Sequence, residues 1–389
     1  MNAPAPTLRH VTPPFRTFSG ADALAALPRE LDRVGAARAV IVCIPAVVEH
    51  TAAMAGLHAA LGDRLVGQFE GVEEHSPLPA VEEARRFLAE HDADAVVAVG
   101  GGSSVVTARA ASILLAEDAD ARELATHRGT DGRLVSPRLS APKLPQWVVP
   151  TSPTTAFAKA GSAVRDPRTG ERLALYDPKT RAQGVVLDPA MALTAPPRLV
   201  WSAALNVLAM AVEGLQSRAV DPLADALLAH ALRQVLTWLP RAAKEPDHAE
   251  PRLQLMLGAL LSGQGSDHTG GGLAQALSHA VGPRSSVANG VVESLLLPHA
   301  MRFHAPAVPE RLAAIADYLG LADRIPDGVV AEVERFLAES DVPRRLREVG
   351  VGQDAIEEIA DHAMDDWAIT AAPRVPDRAQ VVDVLNHAW

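Results

Sequence analysis

The sequence predicts an α/β domain built on a parallel sheet, followed by an all-helical domain. The chain has 389 residues, which is long for a single hydrophobic core. Its first half alternates short β-branched runs with helical patterns, as in βα units whose sheet is covered on both faces. After about residue 197, segments of helical periodicity follow one another and no run is typical of a strand.

Four apolar runs predict strands of the parallel sheet. They end at proline, glycine or Asp-Pro, and they span residues 39–44, 95–99, 147–149 and 184–187. Between the first two runs, residues 47–61 and 80–91 are predicted to be helices. A polar stretch with several prolines, residues 117–145, predicts a long surface loop.

Eight segments with apolar residues at helical spacing make up the second half. They predict helices over residues 199–218, 222–238, 251–263, 273–281, 290–304, 309–319, 328–339 and 353–364. The change of pattern falls between residues 188 and 197. We therefore predict a dinucleotide-binding α/β domain over residues 1–192 and a helical substrate domain over residues 193–389.

The composition excludes several classes of protein. Hydrophobic residues make up 48% and charged residues 21% of the chain, as in globular proteins, and the net charge is −11 with scattered basic residues. This argues against binding to nucleic acid or to an anionic membrane. The single cysteine, Cys43, excludes a disulfide within the chain, and the start of the chain lacks the apolar region of a signal peptide. No run of about 18 apolar residues suggests a membrane span. We expect a cytoplasmic protein.

A glycine-rich turn follows the second predicted strand. Gly100, Gly101, Gly102 and Ser103 lie between that strand and a helix, in the segment VVAVGGGSSVVTARAA. Glycines let the backbone approach a ligand closely, and the first N–H groups of the helix point towards an anion. The turn therefore predicts a diphosphate site in a Rossmann-like domain, with a tight βα turn that binds nothing as the alternative. Residues 104–107 contain no acid that could hold Mg²⁺ or a ribose.

A hydroxyl-rich loop follows the third predicted strand. Thr151, Thr154 and Thr155 lie in the segment PTSPTT, directly after Pro150. Ligands of open parallel sheets bind at the carboxyl ends of the strands, so this loop and the glycine turn can flank one cofactor. The alternative is a proline-stiffened turn closed by local hydrogen bonds of its hydroxyl groups.

Several segments together resemble the iron-containing alcohol dehydrogenase family, in the dehydroquinate synthase-like superfamily. GGGS resembles its diphosphate motif and PTSPTT its PTT loop; GVVLDPAMALTAPP, LLLPHAMRFHAP and APRVPDRAQVVDVLNHAW resemble its domain junction, a family hallmark and its C-terminal end. The resemblance covers nearly the whole chain. It implies a dehydroquinate synthase-like fold, NAD(H) or NADP(H) as cofactor, a small-molecule substrate and a homodimer.

Some details are similar to the maleylacetate reductase branch of that family. These are His75-Ser-Pro77, the missing acid after GGGS, and Asn206 where metal-using members have aspartate. Other positions depart from the pattern: Val106, Phe157, Ala158, Ala274, Gln275 and Ser278.

The resemblance also locates the metal ligands of the family. Members usually bind a divalent metal with one aspartate and three histidines, and the corresponding residues here are Asn206, Met210, Gln275 and Asn289. None of these side chains is a good ligand for iron or zinc. We therefore predict that no metal binds there.

His279 is the candidate proton donor. It corresponds to a family histidine that lines the active site without holding the metal, although a packed core histidine is the alternative. Asn206, Gln275 and Asn289 would then hydrogen-bond the substrate carbonyl in place of the metal. Gln275 lies one turn before His279 and has a second possible role, a hydrogen bond to the imidazole. Asn289 could instead cap the helix that follows it.

Further polar residues have weaker functional interpretations. Arg284 is a candidate for binding a substrate carboxylate, with a solvated arginine as the default. Lys159 could replace the missing metal as a tuned amine. We expect Asp267 and His268, next to glycines, to lie on a surface loop, and Met210 to fill the core.

Three functions stay open at this point. The first is a metal-independent NAD(P)H-dependent oxidoreductase that acts on a small carbonyl or oxo-acid, similar to maleylacetate reductase. The second is a repurposed enzyme on the same scaffold that carries out an elimination, isomerisation or cyclisation, for instance within a biosynthetic pathway. The third is a binding protein that keeps only the fold. Cofactor titration separates the third from the other two, and NAD(P)H turnover separates the first from the second.

Overall fold

The computed structural model describes residues 8–130, 134–218 and 220–389. They form two compact units. The first, here called the α/β unit, comprises Phe15–Val200 and Arg241–Leu260. The second, the helical unit, comprises residues 8–14 together with the described parts of Trp201–Pro240 and Leu261–Trp389.

A parallel sheet of six strands forms the centre of the α/β unit. The strands are β1 (Arg16–Ser19), β2 (Ala39–Cys43), β3 (Leu65–Phe69), β4 (Ala95–Gly100), β7 (Gln146–Pro150) and β10 (Gly184–Leu187). Their order in the sheet is β1-β10-β7-β4-β2-β3, and every pair of neighbours is parallel. The four strands predicted from apolar runs are present, and the parallel arrangement is confirmed.

The sheet carries the main core of this unit. Side chains of β2, β4, β7 and β10 are fully buried, and the largest is Trp147. The helices that cover the sheet or join its strands are α1 (Leu27–Val34), α2 (Pro45–Val48), α3 (Thr51–Leu61), α4 (Leu78–Glu90), α5 (Gly102–Glu117), α6 (Ala121–Leu124) and α7 (Pro189–Ala192). Residues 47–61, predicted as one helix, form parts of α2 and α3, because the chain leaves the helical conformation at His50.

Two short antiparallel pairs lie outside the main sheet. They are β5 (His127–Arg128) with β6 (Leu134–Val135), and β8 (Gly161–Arg165) with β9 (Arg172–Tyr176). The stretch 117–145 was predicted as a surface loop, and its residues 131–133 lie outside the described part. The described part is anchored at Lys143, whose buried ammonium contacts Glu117 at 2.6 Å and Asp177 at 3.1 Å.

Long helices form the second unit and the connections to it. They are α8 (Pro197–Gln216), α9 (Pro222–Lys244), α10 (Ala249–Thr269), α11 (Leu273–Val281), α12 (Asn289–His304), α13 (Pro309–Leu319), α14 (Pro326–Glu339), α15 (Ile356–Asp365) and α16 (Arg378–Ala388). The all-helical prediction is confirmed. However, α10 extends to Thr269, so Asp267 and His268 lie in its last turn and the predicted loop at this point is wrong.

The units divide at different points from the predicted boundary after residue 192. Residues 241–260, predicted to belong to the helical domain, lie in the α/β unit. Arg252 explains this placement, because its buried guanidinium donates to the carbonyls of Ala192 at 2.9 Å and Ala195 at 2.6 Å. A buried guanidinium needs such acceptors, and carbonyls of the α/β unit supply them.

Helix α8 alone among the helices of the described residues has the length and mean hydropathy, 1.4, that would suit a membrane span. In that window 78% of the residues are buried inside the protein, as in the core helix of a globular domain.

Candidate functional site

The predicted glycine turn joins β4 to α5 at the carboxyl end of the sheet. Gly100 ends β4 with a φ of +135°, a backbone conformation that residues other than glycine rarely adopt. A Cβ added to Gly100 would lie 2.5 Å from Oγ of Ser104, so the turn also lacks room for a larger residue. Gly101 is the N-cap of α5, and no side chain of the described residues caps this helix.

The hydroxyl-rich loop lies directly against this turn. The backbone N–H of Thr151 donates to the carbonyl of Gly100 at 3.0 Å. Added Cβ atoms at Gly101 and Gly102 would lie 3.1 Å from Oγ of Ser152 and 3.2 Å from Oγ1 of Thr154. The structure therefore brings the two predicted loops together in the α/β unit. They approach closely because Gly101 and Gly102 have no side chains on the side that faces the hydroxyl-rich loop.

The rest of the loop is held in place from α5. Oγ1 of Thr154 accepts from the N–H of Ala156 at 3.2 Å, and Thr155 begins the short 3-10 helix that follows. The fully buried Arg109 donates from α5 to the carbonyls of Ala156, at 2.8 Å, and Gly161, at 2.6 Å. The local hydroxyl bond of the alternative interpretation is thus present at Thr154, in a segment that also receives hydrogen bonds from the buried Arg109.

Ser103 is fixed from the opposite side by His75-Ser-Pro77. Its Oγ accepts from the N–H of His75 at 3.3 Å, and its carbonyl accepts from Oγ of Ser76 at 3.1 Å. Oγ1 of Thr107 in turn donates to Ser76 at 3.1 Å. His75 and Ser76 both have positive φ, so the bonds at Ser103 and Thr107 hold a strained loop against the start of α5.

These contacts suit a diphosphate. The first turn of a sixteen-residue helix faces a loop of hydroxyl groups, and the first turn of α5 contains no acidic residue that would repel an anion. A diphosphate therefore fits the cradle formed by Gly100, Gly101, Gly102 and the loop after β7.

In the helical unit, the four residues at the family's metal positions lie close together on α8, α11 and α12. Nε2 of Gln275 lies 3.8 Å from Sδ of Met210, and Nδ2 of Asn289 donates to Oγ of Ser278 at 3.3 Å. Oε1 of Gln275 is buried without a hydrogen-bond partner among the described residues. The predicted bond from Gln275 to the imidazole of His279 is not formed.

Asn206 has a buried partner that the sequence did not reveal. Its Nδ2 donates to the carboxylate of Glu293, which is fully buried on α12. The helices meet closely here, because a Cβ at Gly290 would lie 2.1 Å from the carbonyl of Ser202. An aspartate at position 206 would place two carboxyl groups side by side, whereas the amide of Asn206 supplies the buried oxygen of Glu293 with a hydrogen-bond donor.

His279 forms a close pair with Asp366. Nδ1 of the imidazole lies 2.8 Å from Oδ2 of Asp366, and the two side chains are only 10% and 12% exposed. Oδ1 of Asp366 accepts from the N–H of Ala368 at 2.8 Å, which fixes the carboxylate at the start of a 3-10 helix. A carboxylate on Nδ1 favours the tautomer in which Nε2 is the nitrogen that exchanges a proton.

The glycine run before His279 serves close packing. A Cβ at Gly272 would lie 2.3 Å from Oε1 of Glu213, and one at Gly270 would lie 2.6 Å from Cβ of Ala371. Glu213 can thus reach the start of α11, where its oxygens accept from the N–H groups of Ala274 at 2.7 Å and Gln275 at 3.1 Å. A carboxylate at a helix N-terminus is favourable for the helix dipole.

Burial has the larger effect on the ionisation of Glu213. It raises the pKa of this carboxyl to about 7, although the N–H groups of Ala274 and Gln275 act in the opposite direction. Glu213 therefore titrates near neutral pH.

Two other candidates have ordinary roles in the structure. Arg284 forms an ion pair with Glu358 at 2.6 Å and donates to the carbonyl of Ala280 at 3.0 Å, and its binding of a substrate carboxylate stays a prediction. Asn289 is the first residue of α12 and Ala288 is its N-cap, so the predicted capping by Asn289 is wrong.

Family models match both parts of the chain. Residues 14–189 match iron-containing alcohol dehydrogenase, and residues 201–389 match the C-terminal part of the Fe-containing alcohol dehydrogenase family. The chain belongs to the iron-containing alcohol dehydrogenase family. As a member, it is an oxidoreductase, and the resemblance seen in the sequence is confirmed.

Individual relatives cover nearly the whole chain. Maleylacetate reductase 1 of Cupriavidus pinatubonensis is 26% identical over 97% of this chain and 95% of its own length. Lactaldehyde reductase of Escherichia coli K12 is 27% identical over 95% of this chain and 97% of its own length. The fold is similar to that of sulfoacetaldehyde reductase from Bifidobacterium kashiwanohense in complex with NAD⁺, with a TM-score of 0.86, 18% identity, and coverage of 98% and 99% of the two chains.

The iron implied by the family name does not fit the side chains at the corresponding positions. Asn206, Gln275 and Asn289 direct amide nitrogens to Glu293, Met210 and Ser278, and an amide nitrogen is a hydrogen-bond donor rather than a ligand. No imidazole or carboxylate stands at any of the four positions. Iron and zinc sites are built from imidazole, carboxylate or thiolate groups, so these four side chains do not suit either metal.

Asp366, Glu213 and Glu293 were missed in the sequence. Glu213 and Glu293 do have a local signal, since each is a single acid within an apolar helical run, AMAVEGL and GVVESLLLP. Such an acid is expected to be buried with a partner. Asp366 has no comparable signal, because it lies 87 residues from His279 and beside a second acid, Asp365.

Proposed function

We propose that this chain is an NAD(P)H-dependent oxidoreductase that reduces a small carbonyl compound without a bound metal, with an oxo-acid of the maleylacetate type as the first candidate. The imidazole of His279, held by the carboxylate of Asp366, carries the proposal. A histidine oriented in this way is a typical general acid. The names of the relatives, maleylacetate reductase and lactaldehyde reductase, support carbonyl substrates.

The residues divide the work of the reaction. Bound NAD(P)H would supply the hydride. The turn at Gly100, Gly101 and Gly102 would hold its diphosphate through backbone N–H groups. His279 delivers a proton through Nε2 to the substrate oxygen as negative charge develops there, and Asp366 balances the positive charge of the imidazolium.

Amide groups take over part of the polarisation that a metal would provide. Among the described residues, the Nε2 group of Gln275 contacts Sδ of Met210, a weak acceptor, so it can turn to donate to a substrate carbonyl. Asn289 and Asn206 keep their predicted roles in this proposal, although Asn206 shares its amide with Glu293. The predicted homodimer and the cytoplasmic location stay predictions.

Cofactor binding is the first test. Titration calorimetry with NADH and NADPH should show binding to the wild type, and Gly101→Val should abolish it. A branched side chain at Gly101 would fill the gap to Ser152, where the diphosphate meets the backbone. Gly161→Val is the matched control, because a Cβ there has no atom within 4 Å. A wild type that binds neither nucleotide would leave the proposal without its hydride source.

Turnover is the second test. The oxidation of NAD(P)H is followed at 340 nm with unsaturated oxo-diacids, simple 2-oxo-acids and short aldehydes. Reduction of any of these at the pace of ordinary enzymes, about 1–1,000 per second, supports the proposal. Tight nucleotide binding without oxidation of NAD(P)H would favour the alternative of a repurposed non-redox enzyme.

A further inference from the structure

We propose a second, independent site in the helical unit, where His10, Asp221 and His268 bind one divalent transition-metal ion of the zinc type. Their ligand atoms all lie within 4.8 Å of one another. Among the described residues, this is where three or more histidine, cysteine or acidic side chains are grouped closely enough for one ion. None of the three residues belongs to the family's metal positions.

The three ligands come from three separate segments of the helical unit. His10 lies before the first strand, Asp221 precedes α9, and His268 lies in the last turn of α10. Nδ1 of His10 lies 2.7 Å from Oδ2 of Asp221, and these two side chains are 10% and 9% exposed. An ion at this point would therefore lie in a shielded position and hold residues 8–14 onto the helices.

Asp221 is oriented as metal-binding carboxylates usually are. Its Oδ1 accepts from the backbone N–H groups of Leu223 at 3.0 Å and Ala224 at 3.1 Å, at the start of α9. These bonds fix the carboxylate and turn Oδ2 towards the imidazoles. Hydrogen bonds of this kind, made to a ligand by groups that do not contact the metal, set the direction of the ligand atom.

The arrangement of the two rings defines what binding requires. The imidazoles of His10 and His268 are stacked, with centroids 3.8 Å apart and planes at 20°. A nitrogen lone pair lies in the plane of its ring, so one imidazole turns about its Cβ–Cγ bond when both bind one ion. The ion replaces the proton shared by His10 and Asp221.

The ligand set selects the class of ion. Two imidazoles and one carboxylate suit zinc, with water completing a tetrahedral site, and cobalt(II) and nickel(II) bind similar sets. Calcium and magnesium prefer oxygen ligands and are excluded by the two imidazoles.

Zinc titration of the full-length chain tests the site. Protein dialysed against a chelator and then titrated with zinc chloride should bind about one ion per chain, the stoichiometry of a single tetrahedral site. His10→Ala and His268→Ala should each weaken zinc binding by more than about 10-fold. Each removes a metal ligand, which costs more affinity than the loss of a hydrogen-bond partner of a ligand. The variants His58→Ala and His248→Ala, each of which removes an exposed histidine, are the matched controls. Gln275→Ala should also leave binding unchanged, which separates this site from the family's metal positions.

A second measurement reports on the N-terminal segment. Zinc should slow the cleavage by trypsin after Arg9 in the wild type and have no such effect in His10→Asn, a variant that keeps a polar side chain at position 10. Cobalt(II) bound by the wild type should show visible absorption bands that His268→Ala lacks. Failure of the wild type to bind zinc, or zinc binding that persists unchanged in His10→Ala, overturns the proposal.

Discussion

His279 and Asp366 form the pair on which the proposed chemistry depends. Sequence comparison alone gave the histidine, whereas the structure adds the carboxylate that determines which nitrogen carries the proton. Asp366 is a positioning residue, since it acts through His279. The distinction has a measurable consequence, because a positioning residue loses its effect when the residue that it positions is removed.

We predict that His279→Ala lowers the turnover number by about 10²–10⁴-fold, the rate enhancement that a general acid usually provides, and leaves cofactor affinity nearly unchanged. His279→Gln keeps a donor but cannot transfer a proton, so it should fall between wild type and His279→Ala. Asp366→Asn should also lower the turnover number while the KM for the cofactor stays constant. In the double variant, Asp366→Asn should add little to the loss caused by His279→Ala.

The control for this cycle is Asp383→Asn, which alters the exposed pair of Asp383 and His387 in the same way. It should leave turnover unchanged. If the two losses at His279 and Asp366 simply multiply, Asp366 acts independently of the imidazole. Equal turnover in wild type and His279→Ala would make His279 a packed histidine.

Three polar residues around α11 show where residue-level prediction succeeded and failed. The resemblance located Asn206, Gln275 and Asn289, and the structure places them near one another. Their partners could not be predicted, because Glu293 reaches Asn206 from 87 positions away and Ser278 reaches Asn289 only through the fold. Hydrogen bonds over such sequence distances leave no periodic pattern.

At the level of elements, α11 depends on Glu213 of α8. The carboxylate accepts from two N–H groups of the first turn, and the missing side chain of Gly272 makes room for it. The glycine run before His279 thus allows close packing around α11. The buried carboxyl makes the start of α11, and with it Gln275, sensitive to pH.

We predict that wild-type stability falls between about pH 4.5 and pH 7 relative to Glu213→Gln. The pKa of Glu213 is about 7 in the folded protein and about 4.5 when the chain is unfolded, so the folded state binds the proton more tightly. The stability that the folded protein gains from binding this proton is complete below pH 4.5 and is lost as the pH rises through 7. The shift corresponds to a free energy on the order of 3 kcal/mol.

Thermal unfolding of both proteins from pH 4.5 to pH 8 measures this effect. The melting temperature of Glu213→Gln, relative to wild type, should rise over that range by several degrees, as a few kcal/mol implies for a chain of this size. Glu82→Gln, on an exposed face of α4, is the control and should show no trend. Parallel curves for wild type and Glu213→Gln would show that the carboxyl is not held in its neutral form.

The elements themselves were predictable where the apolar pattern was strong. Buried strands such as β2 and β4 are continuous valine- and isoleucine-rich runs, and α11 matched its predicted range. The strand β3 was missed because LVGQF mixes glycine and glutamine into a half-buried edge strand. The end of α10 was cut short because GQGSDHTG contains helix-breaking glycines, which close packing against Leu228 requires at Gly265.

For the whole molecule, the sequence predicted the two kinds of architecture but not how the chain is shared between them. Strand order follows from long-range pairing, such as β1 with β10, which no local pattern encodes. Likewise, residues 241–260 belong to the α/β unit through the buried guanidinium of Arg252. Contacts of this kind are decided by tertiary packing, and the helical pattern of residues 241–260 does not indicate against which unit they pack.

The last prediction concerns metal content and activity, which we expect to be independent of one another. The amides at Asn206, Gln275 and Asn289 do not suit iron, and the three residues of the proposed zinc site, His10, Asp221 and His268, have no role in the proposed chemistry. Dialysis against a chelator should remove any metal and change turnover by less than about twofold, because hydrogen bonds and a proton meet the charge on the substrate oxygen. Elemental analysis and turnover are measured on the same samples. A catalytic metal contributes several kcal/mol, so activity that collapses on chelation and returns with iron or zinc, in wild type and in His10→Ala alike, would show that the family's metal chemistry survives in this chain.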